Sequence, residues 1–327
     1  MIDRGFVDDQ ALLTLIVDGT HTIQTLSAAL RVPESAVVGR LHALRDAGIT
    51  ITIGTDGSCV VAKPLHLLSV SAILSALSKP LQGLHHLEVA WTVDSTNSQL
   101  LARQSPVQGA DVLVAEHQHA GRGRRGRRWS SPLAAHIYLS VSRRFAGSPE
   151  RLPGLSIATG VAVAEVLRTI VPTANIGLKW PNDLMVAGKK LGGVLIESQQ
   201  QTHGSVCSVI GIGINVCMPQ PFASALDQPW IDLETVAERP LDRNSIIAQV
   251  LRALLPALDL YDAQGIGPFL PRYAVLDDLN GRHVSLISRD GQHQSGVACG
   301  VCEDGGLQLI IDGIQQRVYS GEVTVRL

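Results

Sequence analysis

Five arginines and three glycines fill residues 121–128, in the run Ala120-GRGRRGRR-Trp129. Such a segment cannot enter a hydrophobic core. Arginine stays charged at every physiological pH, and burying an unpaired charge is very costly. The glycines add backbone freedom, which costs about 0.5–1 kcal/mol more to order per residue than alanine in regular structure. The run therefore predicts an open loop that orders around an anionic ligand. The rest of the chain must supply a scaffold for that loop and a ligand with negative charge.

The scaffold is globular. Of the 327 residues, 45 % are hydrophobic and 17 % charged, outside the range of disordered chains, and the length allows two or three domains. Aromatic residues are 4 %, so the cores are predicted to rest on Leu, Val, Ile and Ala. The net charge of −2 excludes a basic field over the whole molecule. Positive charge gathered into one loop favours a small anion over a long polyanion. Met1-Ile2-Asp3-Arg4 opens no apolar signal segment, and no uncharged apolar run of membrane-spanning length follows. The five irregularly spaced cysteines suit a reducing compartment, so a cytoplasmic protein without membrane partners is expected. Cys299-Gly300-Val301-Cys302 is a lone CxxC on a strand running into a turn, which reads as ordinary thiols.

Three segments follow from the periodicities. In residues 1–66, Leu26, Ala29 and Leu30 have helical spacing, Val32-Pro33-Glu34-Ser35 breaks it, and Val37, Leu41 and Leu44 resume it up to Gly48. Ile49 to Ile53 then alternates as a strand, Gly54-Thr55-Asp56-Gly57 turns, and Cys59 to Ala62 returns. A helix–turn–helix followed by a hairpin predicts a winged helix, a DNA-binding architecture. Its candidate base-reading residues are Ser35, Gly39, Arg40 and His42. The charge is unhelpful: Arg4, Arg31, Arg40, Arg45 and Lys63 face seven acidic residues, and Asp56 stands at the wing tip.

Residues 67–270 mix helices with hairpin-linked strands, which predicts an α+β domain around a mixed sheet. Helices are expected over 67–77, 155–170 and 243–264, and Ser95 is placed to cap a short one reaching Leu101. Strands are expected over 89–93, 112–116, 137–141, 176–180, 184–186, 193–197 and 206–216. Residues 271–327 read as short strands separated by Asp290-Gly291, Gly305-Gly306 and Asp312-Gly313 turns, which predicts a small SH3-like β-barrel.

Gly121-x-Gly123-x-x-Gly126 follows a strand and has the dinucleotide spacing. It is followed by Arg127-Arg128-Trp129-Ser130-Ser131-Pro132, which opens no apolar helix of the kind a Rossmann turn needs. A Walker A loop is absent.

Five motifs in order carry a resemblance. They are Ser95-Thr96-Asn97, the arginine run, Lys179-Trp180-Pro181-Asn182-Asp183, Lys190-Leu191-Gly192-Gly193 and Gly211-Ile212-Gly213-Ile214-Asn215. Together with the N-terminal helix–turn–helix, the chain resembles biotin protein ligases of the bifunctional class, which also repress biotin synthesis. The resemblance implies a class II synthetase-like central domain, biotin and ATP as substrates, and Mg²⁺ with no assigned protein ligand. Biotinyl-5′-AMP would be the intermediate. A lysine of the biotin carboxyl carrier domain of acetyl-CoA carboxylase would accept the biotin. Operator DNA and a homodimer are further implied partners.

By the same resemblance Ser95, Thr96, Asn97 and Gln118 would form the biotin slot. Arg122, Gly123 and Arg124 would fold over carboxylate and phosphate, with Arg124 retaining the adenylate. Lys190 would bridge the carboxylate and the α-phosphate, its place before Leu-Gly-Gly distinguishing it from Lys189. Lys179, Asn182, Asn215 and Trp230 would serve ATP together with Arg122. Purely structural roles remain open at this level: a helix cap for Ser95, a solvated strand residue for Lys179, a surface plug for Trp230 and a core position for Trp180. The wing and recognition helix depart from the family's basic pattern. That leaves two further readings: a ligand-sensing transcription factor with a non-catalytic ligase-like domain, and a ligase for another carboxylate such as lipoate.

Overall fold

The apolar periodicities become three hydrogen-bonded sheets. The computed structural model describes residues 4–62, 65–146, 152–200, 206–224, 228–288, 293–319 and 323–326. The Asp290-Gly291 turn, Lys63 and Asp227 lie outside the described residues.

The N-terminal unit packs α1 (Arg4–Asp18), α2 (Ile23–Leu30) and α3 (Glu34–Asp46) against a small antiparallel sheet. That sheet joins β1 (His21–Thr22), β2 (Ile51–Ile53) and β3 (Ser58–Val61) in the order β1-β3-β2. Val37, Leu41 and Leu44 are buried as their spacing predicts, together with Leu12, Leu13 and Ile16 of α1. Ala29 is instead exposed. Thr22 and Thr25 form a reciprocal capping box that starts α2 two residues after β1 begins, a short strand the alternation pattern cannot reveal. Arg45 is spent inside the unit: its Nε and Nη2 donate to the Ile51 carbonyl at 2.9 and 2.6 Å. The core of this unit continues into Leu133 and Ala134, with Trp91 against it, all from the chain that follows.

The central sheet has seven strands in the order β4-β5-β6-β10-β9-β8-β7. They are β4 (Leu84–Val93), β5 (Ala110–Gln118), β6 (Ile137–Phe145), β7 (Ile176–Lys179), β8 (Asp183–Val186), β9 (Lys189–Gln200) and β10 (Val206–Ile214). Only β4 and β5 run parallel, so the sheet is mixed, as expected. Helices α4 (Val70–Leu77), α5 (Thr96–Leu101) and α6 (Leu152–Ile170) precede or interrupt it. Helices α7 (Gln220–Ala223), α8 (Leu233–Ala237), α9 (Arg243–Gln264) and α10 (Leu270–Leu276) follow. Helix α6 is long and apolar enough over Pro153–Ile170 to cross a membrane, yet 61 % of that stretch is buried inside the protein. Its packing against α9 and the sheet makes it a core helix.

Several boundaries differ from the sequence reading. Helix α4 starts at Val70 because Ser69 is its N-cap, its hydroxyl accepting from Ala72 N. The preceding residues are tied down by side chains of the central unit. The Asn244 side chain accepts from Ser69 N at 3.0 Å and donates to the Leu67 carbonyl at 3.0 Å. Arg243 donates to the His66 carbonyl at 3.1 Å and to Glu116 Oε2 at 2.6 Å. Leu68 N donates to the other oxygen of Glu116. Arg243 and Glu116 side chains are only 4 and 2 % exposed, so this is a fully buried ion pair holding the connection between the first two sheets.

The C-terminal strands are β11 (His283–Ser288), β12 (His293–Val301), β13 (Leu307–Ile311), β14 (Ile314–Val318) and β15 (Val323–Arg326). They pair antiparallel in the order β14-β13-β12-β11-β15, with an irregularity between Ala298 and Val301. The expected closed barrel is not reproduced: among the described residues no pairing joins β14 to β15. Cys299 and Cys302 are free thiols, and burial raises the Cys299 thiol above its ordinary value.

Removing one half of a buried ion pair leaves an uncompensated charge, at a cost of about 3–5 kcal/mol. Arg243→Met should therefore destabilise the protein by about that amount in urea unfolding, and Glu116→Gln added to it should recover much of the loss.

Candidate active site

The slot begins where β4 hands over to α5. Ser95 stands at the N-cap of α5 in extended conformation, but its side chain makes no capping hydrogen bond. The capping role expected of it is therefore not taken up, and the hydroxyl stays buried at 3 % exposure. Thr96 N donates to Gln118 Oε1 at 2.9 Å, and the Thr96 hydroxyl lies 3.2 Å from the same oxygen. Gln118 Nε2 donates to Ser131 Oγ at 3.2 Å, fixing the amide's orientation. On the other side the Ser140 hydroxyl sits 2.7 Å from Thr96 Oγ1 and 2.6 Å from Asn97 Oδ1. Buried polar atoms must be paired, and the side chains of Thr96, Asn97, Gln118, Ser131 and Ser140 pair with one another.

Asn97 is part of that frame. Its Nδ2 donates to Glu197 Oε2 at 2.8 Å and approaches the Leu195 carbonyl at 3.4 Å, while its oxygen takes Ser140. It is 3 % exposed. The sequence motif places it beside the ligand residues, but its amide is already committed to the strands below.

The floor under this frame is glycine for a steric reason. A Cβ on Gly211 would stand 2.4 Å from Asn97 Oδ1, and one on Gly213 would stand 2.7 Å from the Trp129 ring. Real Cβ atoms essentially never come so close. Gly211 pairs with Leu195 and Gly213 with Gly193, so both glycines lie in the middle of the sheet.

Over the floor runs the arginine loop. Arg122 bridges Arg128, and Gly123 N donates to the Arg127 carbonyl at 2.7 Å, giving the loop a narrow neck. Arg125 at its tip has φ of 57°, in the left-handed region. Arg122 turns inward: Nη1 donates to Ser98 Oγ at 2.6 Å and Nη2 to Glu197 Oε1 at 3.2 Å. Arg124 Nη1 donates to Asn182 Oδ1 at 3.2 Å. Burial pushes the Arg124 guanidinium below its ordinary value, Arg125 and Arg127 add repulsion, and Asp183 opposes the shift. This is a cation held where an incoming negative charge would relieve it.

Lys190 completes the cation set. The pairing of β8 with β9 shifts register between Leu184 and Met185, leaving Leu191 as an extra, fully buried residue. Such a bulge re-aims its neighbours. Lys190 points inward with Nζ 2.7 Å from Asp183 Oδ1 and 5.7 Å from the Trp129 ring centroid, within cation–π range. Lys189 is exposed. Of the two lysines, Lys190 is thus the one on the side of Asp183 and Trp129.

The remaining candidates divide. Asn182 Nδ2 donates to the Val194 carbonyl at 2.8 Å, leaving its oxygen for Arg124. Asn215 is buried and donates to the carbonyls of Lys190 and Ile231 at 3.3 and 3.1 Å, so it fixes backbone around Lys190. Trp230 lies beside Lys190 through a parallel bridge and is half-buried, its indole N–H reaching the Ala223 carbonyl at 3.3 Å. Lys179 is half-buried at the end of β7, paired across the strand with Asp183. Trp180 is core, 2 % exposed, donating to the Gly305 carbonyl at 3.0 Å. Ser35, Gly39 and His42 are exposed on α3 and Arg40 is half-buried, far along the chain from this cluster. Among the described residues no three His, Cys, Asp or Glu side chains converge as a metal-ligand set.

Sequence reasoning missed Ser98, Ser131, Ser140 and Glu197. Single serines, one on a helix, one in a loop and one on a strand, carry no signature. Glu197 did leave one: it follows Gly193 and Leu195 at strand period, as the one carboxylate within β9.

Residues 89–215 match the model of the biotin/lipoate A/B protein ligase family. The chain is 35 % identical over 316 residues to the bifunctional ligase/repressor BirA of Escherichia coli, covering 96 % of each chain. It is 36 % identical over 249 residues to the biotin–[acetyl-CoA-carboxylase] ligase of Mycobacterium tuberculosis, covering 74 % of this chain and 89 % of that one. Among solved structures it resembles the biotin protein ligase from Aquifex aeolicus in complex with biotin and ATP. That likeness has a TM-score of 0.63 and 26 % identity, and covers 74 % of this chain and 99 % of the other.

The floor argument is open to test. Gly211→Ala should push Asn97 out of the frame at a cost of about 1–3 kcal/mol, the usual penalty for overpacking, read as a lowered denaturation midpoint.

Proposed function

The chain belongs to the biotin protein ligase family, and on that premise we propose that it makes biotinyl-5′-AMP from biotin and ATP and passes the biotin to a carrier lysine. In the first step a carboxylate oxygen of biotin attacks the α-phosphorus of ATP. A new P–O bond forms, the bond to the β-phosphate bridge breaks, and pyrophosphate leaves. In the second step the neutral ε-amine of the carrier lysine attacks the acyl carbon; an amide C–N bond forms, the acyl C–O bond to the phosphate breaks, AMP departs with that oxygen, and the amine's extra proton goes to solvent. Neither step needs a protein nucleophile. The first needs two anionic groups held together, both need the reacting atoms aligned, and alignment alone can supply up to about 7–11 kcal/mol.

The observation that carries this reading is the convergence of Arg124 with Asn182 and of Lys190 with Asp183 and Trp129, beside a polar slot. Ser95, Thr96 and Gln118 would meet the ureido group of biotin, a role supported by their buried, mutually oriented polar atoms. Asn97 would hold that slot rather than touch the ligand. Arg122, Gly123 and Arg124 would close over carboxylate and phosphate, and closure would shield the mixed anhydride from water. Lys190 would move from Asp183 to the shared space between carboxylate and α-phosphate. Asn182, Lys179 and Trp230 would line the nucleotide side, with Asn215 holding the backbone of Lys190. Mg²⁺ would arrive on the phosphates, where it keeps most of its water and takes few protein ligands.

We read residues 1–66 as a winged helix, 67–270 as the catalytic domain and 271–327 as a small C-terminal domain. The acceptor would be the biotin carboxyl carrier domain of acetyl-CoA carboxylase, as the Mycobacterium relative's name states for that protein. A repressor function on operator DNA, as a homodimer, is favoured by the exposed Ser35, Gly39 and His42 face of α3. The spent Arg45 and the acidic balance of the unit weaken its grip on phosphates.

Purified protein with biotin, ATP, Mg²⁺ and a carrier domain should label one carrier lysine and release pyrophosphate, and lipoate or octanoate should not compete. Lys190→Ala should lose at least about 100-fold in the adenylation rate, the scale of losing one charge-stabilising donor. Absence of pyrophosphate release by the unaltered protein would sink the ligase reading. For the second reading, a gel-shift with DNA upstream of biotin-synthesis genes should show binding that strengthens when biotin and ATP are added together.

A further inference from the structure

Glu197 is the point where the polar slot and the arginine loop meet. Its Oε2 accepts from Asn97 Nδ2 at 2.8 Å, deep in the slot. Arg122 Nη2 donates to its two oxygens at 3.2 and 3.4 Å from the loop above. The other end of the same guanidinium reaches Ser98 Oγ, one residue beyond Asn97, at 2.6 Å. Asn97 is itself locked by Ser140 and by the absence of a Cβ on Gly211, so the carboxylate it binds has one position. Glu197 also sits in the ladder of β9 with β10, directly opposite Val209.

Arg122 has no comparable anchor of its own. It belongs to a glycine-rich loop in which four other arginines repel it. Its side chain is 37 % exposed and that of Glu197 is 29 % exposed, so the pair adds little to stability. What the contact supplies is direction. The strand fixes Glu197, Asn97 fixes its carboxylate, and the carboxylate fixes the plane of Arg122 at the mouth of the slot.

We propose that Glu197 is a positioning residue for the first reaction step, presetting Arg122 so that the carboxylate of the bound acid meets an oriented guanidinium. This rests on the ligase reading above. Glu197 touches no reacting atom and acts through Arg122 alone. Glu197→Gln keeps an oxygen for Asn97 but removes the charge that orients Arg122.

The test is a double-mutant cycle read as biotin-dependent pyrophosphate release. Glu197→Gln should raise KM for biotin about fivefold, the reach of a half-exposed ion pair, with kcat little changed. Arg122→Gln should raise KM at least as much, and Glu197→Gln should then add nothing further, because its route is gone. Should Glu197→Gln fold poorly by thermal denaturation, Glu197→Asp enters the same cycle, its shorter carboxylate expected to raise KM by a smaller factor. Additive effects of the two substitutions, or an unchanged KM for Glu197→Gln, would overturn the positioning role. Inactivity of the unaltered protein would instead remove the ligase reading on which it stands.

Discussion

Like charges packed into eight residues repel, and the layout of the central sheet answers that repulsion. Arg122, Arg124 and Lys190 each meet a fixed oxygen on the sheet: Glu197, Asn182 and Asp183. These acceptors come from β9, from the turn before β8 and from the first residue of β8. The loop therefore has an ordered framework beneath it. The Arg127 and Arg128 side chains are exposed at the other limb of the loop. Electrostatic stabilisation of a reacting anion works best when the donors need no reorganisation at the moment of reaction. Resident oxygens that hold cations near their working places serve that need.

The second constraint is closeness. Asn97 and Trp129 lie directly against the backbone of β10, which only Gly211 and Gly213 permit. The sheet thus brings two layers together without an intervening row of side chains. Above it, hydroxyls and amides satisfy one another through Thr96, Gln118, Ser131 and Ser140. Such a network is stable only when complete, because an unpaired polar atom in a region of low polarity is costly. Its completeness fixes the rotamers of the residues around the slot.

How legible was this in the sequence? The long helices and central strands were, because Arg243 to Gln264 and Ile137 to Val141 repeat their apolar residues with clear periods. The chemistry was legible where a residue type is expensive to keep, as with the arginine run and Lys190. The structure then shows which motif side chains are tied to the framework. Asn97 and Asn215 sit inside shared motifs, yet their amides are spent on Glu197 and on backbone carbonyls. Spacing along the chain cannot distinguish an amide aimed at a ligand from one aimed at a strand. Glu197, Ser131 and Ser140 were missed because their roles depend on which strands become neighbours. The β1 strand of two residues was missed because it is too short to display a period. Closure of the C-terminal sheet is not seen among the described residues, and turn signals in the sequence mark where strands end, not whether the outer two meet.

Leu133 and Ala134 belong to the hydrophobic core of the N-terminal unit, although they follow the arginine loop by only a few residues. The Ala134 amide donates to the Glu116 carbonyl at 3.0 Å, and Glu116 holds Arg243. The N-terminal unit is thus seated on the root of the loop. Cutting away residues 1–66 would leave an apolar scar of Leu133, Ala134 and Trp91 beside the slot. A chain that dispensed with its first unit would need smaller or more polar residues at those three places to keep the surface wettable. The separability of the two units is therefore written in the central domain, at positions that carry no chemistry.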